Sequence, residues 1–198
     1  MGALIVTPVQ ATNLIQNGSF ETATVNPGPF LQLNAGSTVI TGWTVSQGSI
    51  DYIGTYWQAS DGGRSLDMQG IGSGKIEQTF NTTIGATYRV TFDLAGNTFG
   101  GSAINAIKQM RVSAGVSSAD FSFDITGKSP SNMGWVSKSW DFTANSTTTT
   151  LGFIGINSGD TGAALDNVSV IAVPEPSSML GLLGLGVLGI GSALKRQS

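Results

Sequence analysis

Between Thr12 and Ala172 the apolar residues recur at every second position, not at the 3.6-residue spacing of a helix. Tyr88, Val90, Phe92 and Leu94 alternate with Arg89, Thr91 and Asp93. Ile76, Gln78 and Phe80 alternate with Lys75, Glu77 and Thr79. Met110, Val112, Ala114 and Val116 form another set, as do Phe121, Phe123 and Ile125, and Leu151 with Phe153. The last run, Ala164 to Ile171, carries Leu165, Val168 and Val170. Turn signals separate the runs at Asp61-Gly62-Gly63, Gly70 to Gly74, Gly96-Asn97, Gly127 to Asn132 and Asn157 to Gly162. The threonine run Thr147 to Thr150 suits the start of a strand. This predicts about ten short strands and an all-β domain, a β-sandwich of jelly-roll type.

The two ends break the pattern. Ser177 to Leu194 is 18 residues without a charge, followed by Lys195-Arg196. As a helix it would span about 27 Å, close to a hydrocarbon core. The basic pair places its end in the cytoplasm and the body outside. Before it stands Pro174-Glu175-Pro176. Box, apolar helix and basic end together, over Val173 to Arg196, resemble the PEP-CTERM sorting signal of bacterial exported proteins. The resemblance implies export, transient anchoring in the membrane by the helix, and cleavage near the box by an exosortase-type transpeptidase. It also implies an extracellular polysaccharide matrix as partner.

At the other end, Ala3 to Val6 is a short apolar run and Val9-Gln10-Ala11 fits a signal-peptidase site. Residues 1–11 therefore read as the remnant of a signal peptide whose start lies upstream, which the preceding genomic sequence checks. The expected organisation is residues 1–11 as leader, 12–172 as sandwich, and 173–198 as sorting signal with a helix over 177–194.

Composition narrows the chemistry. Cysteine and histidine are both absent. Nucleophilic sites built on an imidazole base or a thiolate are excluded, as are ordinary zinc sites and disulfides. Charged residues make up 11% of the chain, against a usual share of about 25%. The net charge is −3 with nine lysines and arginines in all, which leaves no basic footprint for nucleic acid. Carboxylates, amides, hydroxyls and aromatic faces remain.

Gly70-Ile71-Gly72-Ser73-Gly74-Lys75 superficially looks like a phosphate loop. It lacks the earlier glycine, has Ile76 where a hydroxyl is required, and runs into a strand pattern, so it reads as a hairpin turn. More informative are Asn17-Gly18-Ser19-Phe20-Glu21 near the start and Leu165-Asp166-Asn167-Val168-Ser169-Val170 near the end. This opening and ending resemble those of galactose-binding-like jelly rolls, the fold of many carbohydrate-binding modules. Gly42-Trp43-Thr44-Val45, Gly48 to Ile53, Trp57 to Gly62, Arg64 to Asp67, Ile76 to Phe80 and Ala95-Gly96-Asn97 look like the choice-of-anchor C family. That family is similar to a domain of unknown function in plant cell-wall proteins. The resemblance runs from about Asn13 to Val170 and implies a structural calcium held by Glu21 and Asp166. The alternative for those two carboxylates is an ordinary surface or turn role.

Trp43, Tyr52, Tyr56, Trp57, Trp135 and Trp140 are candidates to stack on sugar rings, with core packing as the alternative. Trp43 and Trp140 sit in strand patterns and are expected in the core. Tyr56 and Trp57 lie between Gly54 and Asp61-Gly62, so they are expected to be exposed. Asp51, Tyr56 and Trp57 form the expected ligand-facing cluster. Asp51, Asp61, Asp67, Glu77 and Asp93 could supply a carboxylate pair for glycoside cleavage, but none matches a catalytic motif, and Asp61 and Asp67 also suit turn chemistry with Arg64 as partner. The expected function is non-catalytic polysaccharide binding by an exported surface protein. The alternatives are a passive matrix or coat protein and a carbohydrate-active enzyme.

Overall fold

The computed structural model describes residues 12–100 and 105–174. The signal remnant, Glu175, Pro176 and the expected helix lie outside the described residues; Pro174 closes them. Among the described residues there are eleven strands. They are β1 (Phe30–Asn34), β2 (Thr44–Gln47), β3 (Ser49–Ile53), β4 (Ser65–Asp67), β5 (Lys75–Asn81), β6 (Thr87–Gly96), β7 (Ile107–Ala114), β8 (Ser117–Asp124), β9 (Val136–Thr143), β10 (Thr148–Gly155) and β11 (Ala163–Ala172). They form a six-stranded sheet, β1-β3-β4-β11-β6-β9, and a five-stranded sheet, β2-β5-β10-β7-β8. Every pairing between these strands is antiparallel. The fold is a jelly-roll β-sandwich.

The alternation explains the layers. Tyr88, Val90, Phe92 and Leu94 of β6 are buried, and the residues between them face outward. Trp43, Phe20, Phe153, Phe92 and Phe121 form a chain of ring contacts, with neighbouring centroids 5.1–6.4 Å apart. Trp43 is core, as expected, whereas Trp140, on the edge strand β9, is only partly covered and lies 5.8 Å from Phe142. The three-residue step from Leu165 to Val168 breaks the alternation. A register shift between Asp166 and Ser169 absorbs it, with Asn167 in the left-handed region at φ 50°.

Three local expectations change. Val116 is not part of β7: it lies 86% exposed in the two-residue β7–β8 turn beside Gly115, whose φ is +58°. Gly70 to Gly74 is not a hairpin, because β4 and β5 belong to different sheets. It is a crossover pressed onto β3: a Cβ on Gly74 would stand 2.1 Å from the Ser49 carbonyl oxygen. Arg64 donates to the Gly63 carbonyl and to Asn26 Oδ1, not to Asp61 or Asp67.

Candidate functional site

Register decides which residues share the outer face of the six-stranded sheet. Gln32 pairs with Asp51, Asp51 with Asp67, and Asp67 with Ala164. Tyr52 and Leu66, one residue along, are buried in the core, so the Gln32–Asp51–Asp67 row faces outward. The long β3–β4 connection folds back across this face. Trp57 is the anchor: it is 5% exposed and its Nε1 donates to Ser65 Oγ at 2.8 Å. The expectation of an exposed Trp57 is therefore corrected. The turn signals around it bend the chain back onto the sheet instead of lifting it into solvent.

The opening and closing motifs fasten the same connection. Glu21 Oε1 accepts from the amides of Gly63 and Arg64 at 2.8 and 2.7 Å. Asp166 Oδ2 accepts from the amides of Ser60 and Asp61 at 2.8 and 2.9 Å, and its Oδ1 from that of Asn167 at 2.7 Å. Burial pushes the Asp166 carboxyl up to about 7, against the pull of those amides. Asn17 ties the start, donating to the carbonyls of Thr22 and Thr41. Five N–H donors thus engage three of the four oxygens of the two carboxylates expected as calcium ligands. Among the described residues no three acidic groups gather as a metal site. A calcium ion needs six to eight oxygens, and amide donors aimed at three of the four carboxylate oxygens oppose its binding there. Melting with and without a chelator is expected to give the same midpoint; a higher midpoint in added calcium would restore the metal.

Beside the folded-back connection a cleft of about 450 Å³ remains open. β1 contributes Phe30 and Gln32, and β3 contributes Asp51 and Ile53. Tyr56, Gly70, Ile71, Asn97, Phe99, Asp160 and Thr161 complete its lining. Phe30, Phe99 and Ile71 are 51%, 66% and 79% exposed at the rim. Tyr56 meets Phe30 edge-on at 5.6 Å and is backed by Trp57 at 5.6 Å. Burial and the neighbouring Asp160 charge push the Asp51 carboxyl up to about 6.

The floor is built on Asp67, which is fully buried. Its Oδ1 accepts from the amides of Gln69 and Gly162, both at 3.0 Å, and its Oδ2 from Asn97 Nδ2 at 2.7 Å. Burial pushes this carboxyl up to about 7. Behind the wall, Lys108 Nζ donates to the carbonyl and hydroxyl of Thr161 at 3.0 and 2.9 Å.

Of the expected cluster Asp51, Tyr56 and Trp57, the first two line this cleft, and Trp57 is buried behind Tyr56. Sequence reasoning missed Phe30, Gln32, Ile71, Asn97, Phe99, Asp160 and Thr161. The only sequence signal for these was their closeness to turn glycines.

Residues 13–171 match the family described as protein of unknown function DUF642. The chain belongs to the DUF642 family. Residues 172–197 match the PEP-CTERM protein-sorting motif, which signals export and a surface location for this DUF642 protein. The domain is similar to halomucin of Haloquadratum walsbyi, with 37% identity over 173 residues. That match covers 84% of this chain and about 2% of the length of halomucin. Among solved structures, TmCBM61 in complex with β-1,4-galactotriose is 14% identical with a TM-score of 0.49, over 82% of this chain and 100% of that one. CBM35 from Paenibacillus barcinonensis is 18% identical with a TM-score of 0.47, over 72% and 99%. These two likenesses concern the fold of the DUF642 domain.

Proposed function

We propose that the DUF642 domain is a non-catalytic glycan-binding module of an exported surface protein, and that the cleft beside Tyr56 is its binding site. One observation carries the reading: a single cleft combines aromatic rings with hydrogen-bonding groups, of which Gln32, Asp51 and Thr161 are half-buried and Asp160 is exposed. Phe30, Tyr56 and Phe99 offer faces to the C–H side of a sugar ring. Gln32, Asp51, Asp160 and Thr161 offer partners to its hydroxyls. A largely apolar concavity of this size with a few polar groups is a common form of small-ligand site. The backing of Tyr56 by the anchored Trp57 fixes its ring before a ligand arrives, which lowers the ordering cost of binding.

Asp51 and Asp67 stand directly opposite each other, and paired carboxylates are the tools of glycoside cleavage. Asp67 is sealed from solvent by three donors, so it has no route to a substrate. This supports binding over catalysis. The finer likeness to the choice-of-anchor C branch, the sorting enzyme acting at Pro174-Glu175-Pro176, and transient anchoring by the segment 177–194 belong to the same proposal. So does an extracellular polysaccharide as the ligand.

The test is a screen of the full chain against surface glycans, followed by titration calorimetry on the best ligand. Tyr56→Ala is expected to weaken binding by about tenfold or more, the scale of one lost stacking face. Unchanged affinity in that variant would remove the cleft as the site. Release of reducing sugar would replace binding with catalysis.

A further inference from the structure

The polar groups of the cleft are unbalanced in charge. Asp51 and Asp160 line it, and no lysine or arginine does among the described residues. Asp67 adds a third carboxyl group beneath the floor. Lys108 lies behind the wall with its ammonium group on Thr161. Lys75, Arg89 and Arg111 are engaged elsewhere, with Glu77, Asp141 and Asp120. Arg64 is held by the Gly63 carbonyl and Asn26. The buried Gln69 Oε1, next in sequence to Gly70 of the cleft wall, has no donor among the described residues. The cleft and its backing therefore present acceptors and negative charge, with aromatic faces at the mouth.

We propose that this cleft selects glycans by charge, preferring sugars with free amino groups to neutral sugars and rejecting uronates and sulfated sugars. The inference rests on the glycan-binding reading of the same cleft. An anionic ring would lose its water shell and meet two carboxylates, with only the Lys108 ammonium behind Thr161 to offset them. An ammonium group on the ring meets the opposite situation. It can sit between Asp51 and Asp160 in charge-assisted hydrogen bonds, and the faces of Tyr56, Phe30 and Phe99 attract a cation through their ring quadrupoles. An N-acetyl group on the same nitrogen removes the charge and keeps the ring, so it isolates the effect.

The experiment titrates the full chain with three oligosaccharides of equal length, at near-neutral pH and physiological salt. They are a glucosamine oligomer, its fully N-acetylated form and an oligogalacturonate. The expected order is glucosamine, then N-acetylglucosamine, then galacturonate, with about tenfold between the first two, which corresponds to 1.4 kcal/mol. In Asp51→Asn, and separately in Asp160→Asn on its surface turn, the ratio of the first two affinities is expected to fall toward one. Galacturonate binding as tight as glucosamine binding overturns the inference and leaves glycan binding standing. So does an amino preference that survives both variants, because it would then come from the overall acidity of the chain. Binding of none of the three, together with failure of the glycan screen, overturns the glycan reading and this inference with it.

Discussion

Asp67→Ala is expected to leave the domain largely unfolded. The substitution removes the acceptor for three donors at once: the amides of Gln69 and Gly162 and the side-chain amide of Asn97. Asp67, Gln69 and Asn97 are each buried, Asn97 at the edge of the cleft. An orphaned buried donor costs about 1–3 kcal/mol, so the three together remove about 3–9 kcal/mol. A domain of this size has only about 5–15 kcal/mol in all. Asp67→Asn tests the mechanism more gently. Its carbonyl oxygen can keep the two backbone amides, but its NH₂ then faces the NH₂ of Asn97. Asn97 cannot turn over without breaking its own bond from the Phe99 amide. The expected cost is about 1–2 kcal/mol, the scale of one such bond. Urea unfolding followed by tryptophan fluorescence measures both. An alanine variant within about 1 kcal/mol of the parent would show that these donors find other partners.

The role of Asp67 also shows what the sequence could and could not reveal. Alternation exposed most of the strands because burial on one face of a sheet leaves a period of two in the chain. Trp43 could be placed in the core for the same reason. The cleft left no such mark. Its walls come from β1, β3, the β4–β5 crossover, the end of β6 and the approach to β11. Those segments meet only through the order β1-β3-β4-β11-β6, and no local spacing encodes that order. Asp51 and Asp67 are 16 positions apart in the chain and opposite each other in the sheet.

The two end motifs are a middle case. Their likeness to carbohydrate-binding modules implied that Glu21 and Asp166 share a calcium ion; what they share in the structure is a segment of chain. That segment is the β3–β4 connection, gripped at Ser60, Asp61, Gly63 and Arg64. A carboxylate accepting amides and a carboxylate holding an ion are identical in sequence. Trp57 failed for a related reason: a ring between turn signals faces either solvent or the sheet, and the choice depends on Ser65 Oγ lying beneath it.

Stability is expected to fall as the pH rises from about 4 to about 7, the reverse of ordinary acid denaturation. Asp51, Asp67 and Asp166 are raised from 3.8 to about 6, 7 and 7, in each case mainly by burial. Between the unfolded and folded values the native chain holds protons that the unfolded chain has already released. Unfolding then releases protons, and stability drops with pH by about 1.4 kcal/mol per unit for each proton held only by the native state. The contribution is complete below about pH 4 and gone once the pH passes about 7. Other carboxylates act the opposite way. Asp120 and Asp141, beside Arg111 and Arg89, and Asp124, bonded to Thr126, are held below their ordinary value. Their contribution is lost as the pH falls through their lowered values, so the two groups together place the maximum near pH 4–5. With at least about 2 kcal/mol at stake, the melting temperature at about pH 5 should exceed that at about pH 8 by roughly 4–8 °C. Calorimetric melts across that range measure it, and Asp67→Asn, which cannot titrate there, should flatten the slope. A melting temperature that stays level or rises between the two pH values would mean that these three carboxyl groups are already ionised in the folded domain.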